Sequence, residues 1–516
     1  MIHYHAPTNT VLYPLNIRSS TLLGALEVGD RIAVPATLLN LQKLTRAGLP
    51  VVPPMRNYDW PAPAWIKPLK SQIATANFMA LNPRSFVFSD MRTGKTFASL
   101  WAADYVMREY PGTKCLIVAN LSTLRPTWSA AIFQLFGGKR TCAILHGSNL
   151  QRERALNQDV DFYIINHDGL GVGADTRRPW RGFSRRLLER DDIQLVIVDE
   201  ASAYRNATTR RHKVAQKLFA TRAFLWQMTG TPVSNGPMDA YGLKKLQSLN
   251  YYDSFRSLRD QIMTPITQFK WVPKPCAAEV VQKLLSPAIR FSQSDCFDLP
   301  PITTELRDAP LSPAQTKALK DLKREMSIVI GQGEITAVHE AALRQKFIQI
   351  SAGVVYDADH ATHVVDAPGR LGVLREILDE APRKIIVFAP LTGVIDFLYK
   401  SLKDYSRVVL DGRTDEKERS KILQCFQSDP EPRILIAHPG PIARGLDLTA
   451  AATIVWYAPT DRTEDYLQAN ERINGPKQKH ARHIVRIVST PLEEEIFKRL
   501  ATNEKMQGAI LKATEI

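Results

Sequence analysis

Two short stretches of this 516-residue chain carry side chains suited to handling a nucleoside triphosphate. In SDMRTGKTF, residues 89–97, Gly94, Lys95 and Thr96 stand where the apolar run FVFSD gives way to a helical pattern. Backbone amides at such a strand-to-helix turn converge on one concavity, and the helix N-terminus adds positive potential. A lysine there reaches the β- and γ-phosphates, and a threonine hydroxyl ligates Mg2+. Taken alone, the tripeptide fits a plain surface turn as well. The glycine that usually opens such a loop is here Ser89, and Arg92 fills a second glycine place.

The other stretch, LVIVDEAS, ends an apolar run on Asp199 and Glu200. Phosphoryl transfer from ATP needs a carboxylate to hold Mg2+ and another group to orient water. Adjacent acids at the end of a buried strand supply both; standing alone, they are a solvated strand cap. They do not stand alone. MTGTPVSN, residues 228–235, follows another apolar run, and ARGLDLTAAATIVWY precedes LQANERINGPKQ nearer the C-terminus. Upstream, IKPLKSQ places Gln72 roughly twenty residues before Lys95.

Positioning these side chains requires buried strands joined by helices, and the sequence has that texture twice. From 69 to 250 short apolar runs (SFVFSD, KCLIVAN, DFYIINH, LVIVDE, FLWQMTG) alternate with helical stretches such as TFASLWAADYVMREY. Buried parallel strands with crossover helices read this way. The alternation resumes near 370 with KIIVFAP, SRVVL, RILIAHP, ATIVWYA and HIVRIVS. Between the two α/β blocks lies a mixed spacer, with helical patterns in LSPAQTKALKDLKREM and ITAVHEAALRQKFIQI. Six prolines between Pro50 and Pro68 predict an extended connector after a short N-terminal region of β-like runs.

The length predicts two or three domains. Lys and Arg exceed Asp and Glu by 67 − 52 = 15 charges, which suits a polyanionic partner without proving one. No apolar run reaches the ~20 residues that span a bilayer, and MIHYHAPTNTVLYP does not read as a secretory signal. Five scattered cysteines fit a reducing cytoplasm and argue against structural zinc.

In order and spacing, the GKT loop, DEAS, TGTPVSN with its following DAYGLKKL, GLDLTAA and the QA-x-x-R stretch resemble superfamily 2 helicases. Within them, the chain looks like the Swi/Snf-like double-stranded DNA translocases, in a short stand-alone version of the kind found in bacteriophages and bacteria. The resemblance runs from 66 to 500. It implies an α/β fold of two tandem RecA-like parallel-sheet lobes: lobe 1 over 66–250, a connecting helical insertion over 251–365, and lobe 2 over 366–500. A small N-terminal accessory region and connector (1–65) and a C-terminal tail (501–516) complete the layout.

The resemblance also implies roles. Gly94, Lys95 and Thr96 bind the triphosphate and Mg2+, Asp199 holds the metal, and Glu200 positions the attacking water. Gln72 reads the adenine, and Thr229 and Thr231 relay nucleotide state to the DNA track. Gly445, Asp447, Gln468 and Arg472 face the same nucleotide from the second lobe. Asn120–Thr123, with Ser122, matches a backbone-contacting segment, and Arg413 and Thr414 in DGRTDEKER match a loop that touches the tracking strand. Arg177, Arg178 and Arg181 head a dense basic run, continued by Arg185, Arg186, Arg190, Arg205, Arg210 and Arg211; it reads equally as a phosphate ribbon or a solvated charge run.

The chain departs from the family pattern at one place. Relatives have a second arginine three residues after the first, then x-Gly-Gln; here R-I-N-G-P-K-Q puts Gly475 at that arginine's place and Lys477 at the glycine's. Arg472 alone, a compensating Lys477 or Arg482, or slow hydrolysis each accommodate the change. The expectation is an ATP- and Mg2+-dependent motor on duplex or branched DNA, acting as a monomer in the cytoplasm (the host's if phage-encoded). An RNA-directed strand-separating enzyme and an ATP-dependent binding switch with weak hydrolysis are the rivals.

Overall fold

In the computed structural model the described residues are 3–14, 22–175, 180–248, 251, 253–267, 271–331, 337–357, 359, 361–442, 448–475 and 478–512. The chain divides into two compact units, one of Met1–Cys296 together with the C-terminal Met506–Ile516, the other of Phe297–Lys505.

The first unit opens with a small antiparallel sheet of β1 (His3–His5), β2 (Thr10–Pro14), β3 (Leu26–Val28) and β4 (Arg31–Pro35), ordered β1-β2-β4-β3. Alternation of burial along β2 and β4 puts Val11, Tyr13, Ile32 and Val34 into a small core with α1 (Leu38–Arg46). The proline-rich connector is extended, as its composition requires, and lies along the following lobe: Tyr105 donates to the Pro54 carbonyl (3.0 Å) and the Trp101 indole to that of Pro61 (2.9 Å). Trp60 packs edge-on against Trp101, so it anchors the connector to the core.

After α2 (Lys70–Leu81) comes a seven-stranded sheet. Its strands are β5 (Arg84–Val87), β6 (Lys114–Ala119), β7 (Cys142–Ile144), β8 (Phe162–Asn166), β9 (Ile193–Asp199), β10 (Phe224–Met228) and, later in the chain, β13 (Ala288–Ile289). The order β13-β5-β10-β9-β6-β8-β7 is parallel throughout. Helices cover both faces, which is why the central strands read as continuous apolar runs: Leu195–Val198 are fully buried. α3 (Lys95–Glu109) follows β5 directly and packs beside α2.

The spacer expected over 251–365 contributes strands to both sheets. Within it, β11 (Met263–Pro265) and β12 (Trp271–Pro273) form a hairpin, and β13 then joins the first sheet as its edge. β14 (Ile302–Asp308) belongs to the second unit's six-stranded parallel sheet. Helices Pro313–Gly331 and Ala337–Ser351 and the hairpin β15 (Val354–Tyr356)–β16 (Thr362–Val364) follow. The sheet is completed by β17 (Lys384–Phe388), β18 (Arg407–Leu410), β19 (Ile434–Ala437), β20 (Ala451–Trp456) and β21 (Arg482–Val488), ordered β14-β21-β20-β17-β19-β18. Trp456 sits between Phe388 and Tyr466, with ring centroids 4.9 Å from each. The last helix runs Pro491–Lys512, through the boundary expected at 500. Among the described residues no helix is long and apolar enough to cross a membrane.

Candidate nucleotide site and nucleic-acid segments

β5 delivers the chain to the loop 88–94, and α3 begins on Lys95, so the helix N-terminus stands at the end of the loop. Gly94 is the N-cap residue with φ +83°, a conformation that suits glycine. A Cβ at Gly94 would lie 2.0 Å from the Gln72 amide nitrogen, so the position also demands the smallest residue. Arg92 adopts φ +64° where relatives of this loop carry glycine, a strain of order 1–3 kcal/mol for a residue with a side chain. Ser89 is buried, and its hydroxyl accepts the Phe291 amide proton (3.0 Å).

The Lys95 ammonium folds back over the loop, donating to the carbonyls of Ser89 (2.7 Å) and Asp90 (2.8 Å). Thr93 ties the turn further through its hydroxyl to the Asp90 carbonyl (2.8 Å). Gln72, buried in the first turn of α2, accepts from the Leu69 amide (2.8 Å) and donates to the Gly94 carbonyl (3.4 Å). It therefore touches the phosphate loop itself.

β9 ends on Asp199, whose carboxylate accepts from the Trp128 indole (3.1 Å) and from the Glu200 amide (3.1 Å). Burial pushes this carboxyl above the ordinary carboxylate range; the nearby Lys95 ammonium and those two hydrogen bonds act against that rise. The lysine of one stretch and the acid of the other thus belong to one electrostatic unit. Glu200 has φ +51°, an uncommon conformation for a non-glycine residue, which turns the chain sharply off the strand. Nothing in the sequence singles out Trp128. It is fully buried on a π-helical turn, Leu124–Ser129, directly after the Leu121–Thr123 turn that holds the exposed Ser122.

The TGTP turn follows β10, with Thr229 and Thr231 buried and the Thr229 hydroxyl accepting from the Thr231 amide (3.1 Å). It lies on the phosphate loop: a Cβ on Gly230 would be 3.8 Å from the Ser89 carbonyl oxygen and 3.9 Å from the Met91 nitrogen. Arg205, just beyond the acidic pair, donates to the Ser234 hydroxyl (3.2 Å). With the Asn235 amide oxygen facing it, Arg205 also reaches that group at 3.0 and 3.2 Å. Three motifs distant in sequence are therefore brought together by strands β5, β9 and β10, which lie side by side.

In the second unit, Gln468 is buried on the helix Thr463–Asn470 and donates to Glu464 (3.3 Å). Arg472 is buried in the short turn Glu471–Ile473, its carbonyl accepting the Leu448 amide (3.1 Å). Gly445, Asp447 and Lys477 lie outside the described residues. Arg482 is buried and donates to the Asn474 side chain and the Pro300 carbonyl, so it fixes the loop and is not available to replace a missing arginine. Gln478 serves the same loop: its amide nitrogen reaches the carbonyls of Thr449 (3.3 Å), Ala451 (2.9 Å) and Ile473 (3.0 Å). The glutamine of the x-Gly-Gln pattern is thus a lock, legible as a matching letter but not as a function.

Gly475 has φ +153°, and its carbonyl accepts the Gln478 amide (2.9 Å). Gly475→Arg is expected to cost about 1–3 kcal/mol of stability, read as a lower unfolding midpoint, without raising turnover. A faster variant would show that the absent guanidinium limits hydrolysis.

Arg413 is held by Asp411 (2.5 Å) and Asp396 (2.7 Å), and those carboxylates raise its pKa. The Thr414 hydroxyl accepts from the Asp411 amide (3.2 Å). In the basic run, Arg177 and Arg178 lie outside the described residues, and Arg181 is exposed at the start of helix Gly182–Leu188. Arg185, Arg186, Arg190 and Arg211 pair with Glu189, Glu153, Asp192 and Asp168. Arg210 donates to the Gly171 and Ala174 carbonyls. The first four are thus paired with acids of the protein itself, whereas these acceptors of Arg210 are neutral.

A phosphate loop, an acidic pair and a threonine turn on adjacent strands of one parallel sheet, followed by a second parallel-sheet unit, define a superfamily 2 helicase-like, nucleotide-binding chain. It belongs to the SNF2-related domain family, which matches residues 72–354, and the helicase conserved C-terminal domain matches 369–474. The chain is 21% identical to a DNA repair and recombination protein RAD54-like of Gallus gallus, over 82% of this chain and 63% of that protein. It is 25% identical to putative protein p41 of Acyrthosiphon pisum secondary endosymbiont phage 1, over 83% of this chain and 95% of p41. A Sulfolobus solfataricus SWI2/SNF2 ATPase core in complex with dsDNA aligns with a TM-score of 0.41 at 21% identity, covering 88% of this chain and 95% of that one. The chain spans less than two thirds of the RAD54-like relative, whereas it matches p41 over nearly its whole length.

Proposed function

We propose that this chain is a DNA-dependent ATPase that couples hydrolysis to movement along duplex or branched DNA. The observation that carries this reading is the meeting of Lys95, Asp199 and the TGTP turn at one phosphate loop. Family membership and the name of the RAD54-like relative point to DNA as the track, and the excess of 15 positive charges suits it.

On this reading Lys95 exchanges the Ser89 and Asp90 carbonyls for the triphosphate, while the loop amides and the α3 N-terminus supply the remaining donors. The oxygen-only pair of Thr96 and Asp199 fits Mg2+, which prefers hard oxygen ligands and keeps several waters. When bound, the ion neutralises charge on the phosphates. Glu200, at the head of the turn that leaves β9, orients the attacking water. Gln72 reads the adenine, and Thr229 and Thr231 sense the loop because their turn rests on it. Ser122 holds backbone phosphate, which makes the track sequence-indifferent. By the family resemblance, Gly445, Asp447, Gln468 and Arg472 are assigned to the same nucleotide.

ATP turnover measured with linear duplex, single-stranded, forked and four-way DNA, and with RNA, tests the proposal. Stimulation by duplex or branched DNA is expected. Stimulation by RNA alone would replace the reading with an RNA-directed enzyme, and tight ATP binding without turnover would replace it with a binding switch.

A further inference from the structure

The phosphate loop opens with Ser89, in place of the usual glycine, and Asp90. Both are gripped by the segment Pro287–Gln293. Its strand β13 runs parallel to β5, and the backbone pairing continues past the strand end: Phe88 donates to the Ile289 carbonyl (2.9 Å) and Asp90 to that of Phe291 (2.9 Å). Side chains then take over. Phe291 donates its amide proton to the Ser89 hydroxyl (3.0 Å), and the Gln293 amide donates to the Asp90 carboxylate (3.1 Å). The Gln293 side chain donates to the Met91 carbonyl (2.9 Å), and Arg290 lies 3.4 Å from the other Asp90 oxygen. Farther on, the Cys296 thiol reaches the Ser71 hydroxyl (3.2 Å), next to Gln72. From there the chain passes into the second unit, whose first strand begins at Ile302.

Asp90 belongs to the loop that must receive a triphosphate, since its backbone carbonyl accepts from the Lys95 ammonium (2.8 Å), and its carboxylate adds a negative charge to that loop. Like charges brought into one partly buried loop repel more strongly than they do in water. Arg290, only 10% exposed, supplies the compensating cation, and Gln293 holds the loop's shape from the same side.

We propose that Arg290 and Gln293 are positioning residues for the nucleotide: Arg290 cancels the Asp90 charge that would oppose the triphosphate, and Gln293 fixes the loop at Met91. This inference rests on the ATPase reading above. It makes nucleotide affinity a property of the segment Pro287–Gln293, a strap along the loop, as well as of the loop itself.

The test measures Kd for a fluorescent ATP analogue with Mg2+, and KM and kcat for ATP with duplex DNA, in the full chain. Arg290→Ala is expected to raise Kd and KM about tenfold, equivalent to ~1.4 kcal/mol, with kcat changed by less than about twofold. Adding Asp90→Asn to Arg290→Ala is expected to restore most of the affinity, because the uncompensated charge is then gone. A merely structural role for Arg290 gives no such rescue. Gln293→Ala is expected to raise KM by a smaller factor, about threefold, as for one neutral hydrogen bond. Arg290→Lys, which keeps the charge without the fork, is expected to fall between wild type and alanine and serves should the alanine variant not fold. Unmoved Kd and KM overturn the inference, as does an equal loss in Arg290→Ala with and without Asp90→Asn. Absence of ATP binding by the wild-type chain overturns this inference and the ATPase reading together; normal wild-type binding with unmoved variants overturns the strap alone.

Discussion

Lys95→Ala lowers DNA-stimulated ATP turnover by at least about 10³-fold while leaving the unfolding midpoint close to that of the wild type. Removing one preorganised donor to a developing oxyanion typically costs about 10²–10³, and Lys95 does more than donate. Its ammonium is the charge that acts on the buried Asp199 carboxyl and the group that pins the Ser89 and Asp90 carbonyls. Alanine removes the triphosphate contact, frees the loop and leaves Asp199 more reluctant to carry the charge a metal ion requires. The fold depends on it less, because α3 is anchored through Trp101, Leu100 and Ala103, all fully buried. Turnover within a few-fold of wild type, measured on protein with an unchanged midpoint, would remove Lys95 from the mechanism.

Much of the first unit's site was legible because each of its parts is a short run on one strand end. Gly94-Lys95-Thr96, Asp199-Glu200 and Thr229-Gly230-Thr231 lie at or beyond the C-terminal ends of β5, β9 and β10, and these strands are neighbours in the order β5-β10-β9. Parallel strands put their C-terminal ends on one edge, so sequence-distant motifs converge without any further signal. The two-block alternation was legible for the same reason, since buried parallel strands leave long apolar runs.

The strap was not legible. β13 is two residues long, too short for periodicity, and its neighbours SPAIRFSQSDC carry no pattern that separates them from a loop. Its partner Ser89 is some two hundred residues away, and the backbone and side-chain contacts between the two segments leave no signature in sequence spacing. Trp128 was invisible for a different reason: a lone tryptophan reads as core, and only the fold brings its indole to Asp199. The basic run shows what spacing leaves open. Arginines dense in sequence read equally as a phosphate ribbon or a solvated charge run, and the acids that pair with Arg186 and Arg211, Glu153 and Asp168, come from other elements that spacing cannot reveal.

Gly94→Ala is expected to lower kcat/KM for ATP by about 10²-fold, through two costs that a second substitution separates. The first is conformational: at φ +83° a side chain is strained by of order 1–3 kcal/mol. The second is steric. The new methyl would sit 2.0 Å from the Gln72 amide nitrogen and 2.8 Å from its carbonyl carbon, so the Gln72 amide must leave. That side chain is buried and its oxygen is held by the Leu69 amide at 2.8 Å, so displacing it also undoes the N-terminal cap of α2. Moving Gln72 from its place takes the proposed adenine interaction with it. Gln72→Ala alone is therefore expected to raise KM by about tenfold, the effect of removing one well-placed hydrogen-bonding group. Gly94→Ala combined with Gln72→Ala removes the clash and keeps only the backbone strain, so the double variant is expected to lose less than the product of the two single losses. Strict multiplication of the single effects would mean that the two residues do not meet and that the loop is shaped by the glycine's backbone alone. Wild-type KM in Gly94→Ala would go further, since it would exclude both the left-handed turn and the glutamine from nucleotide binding.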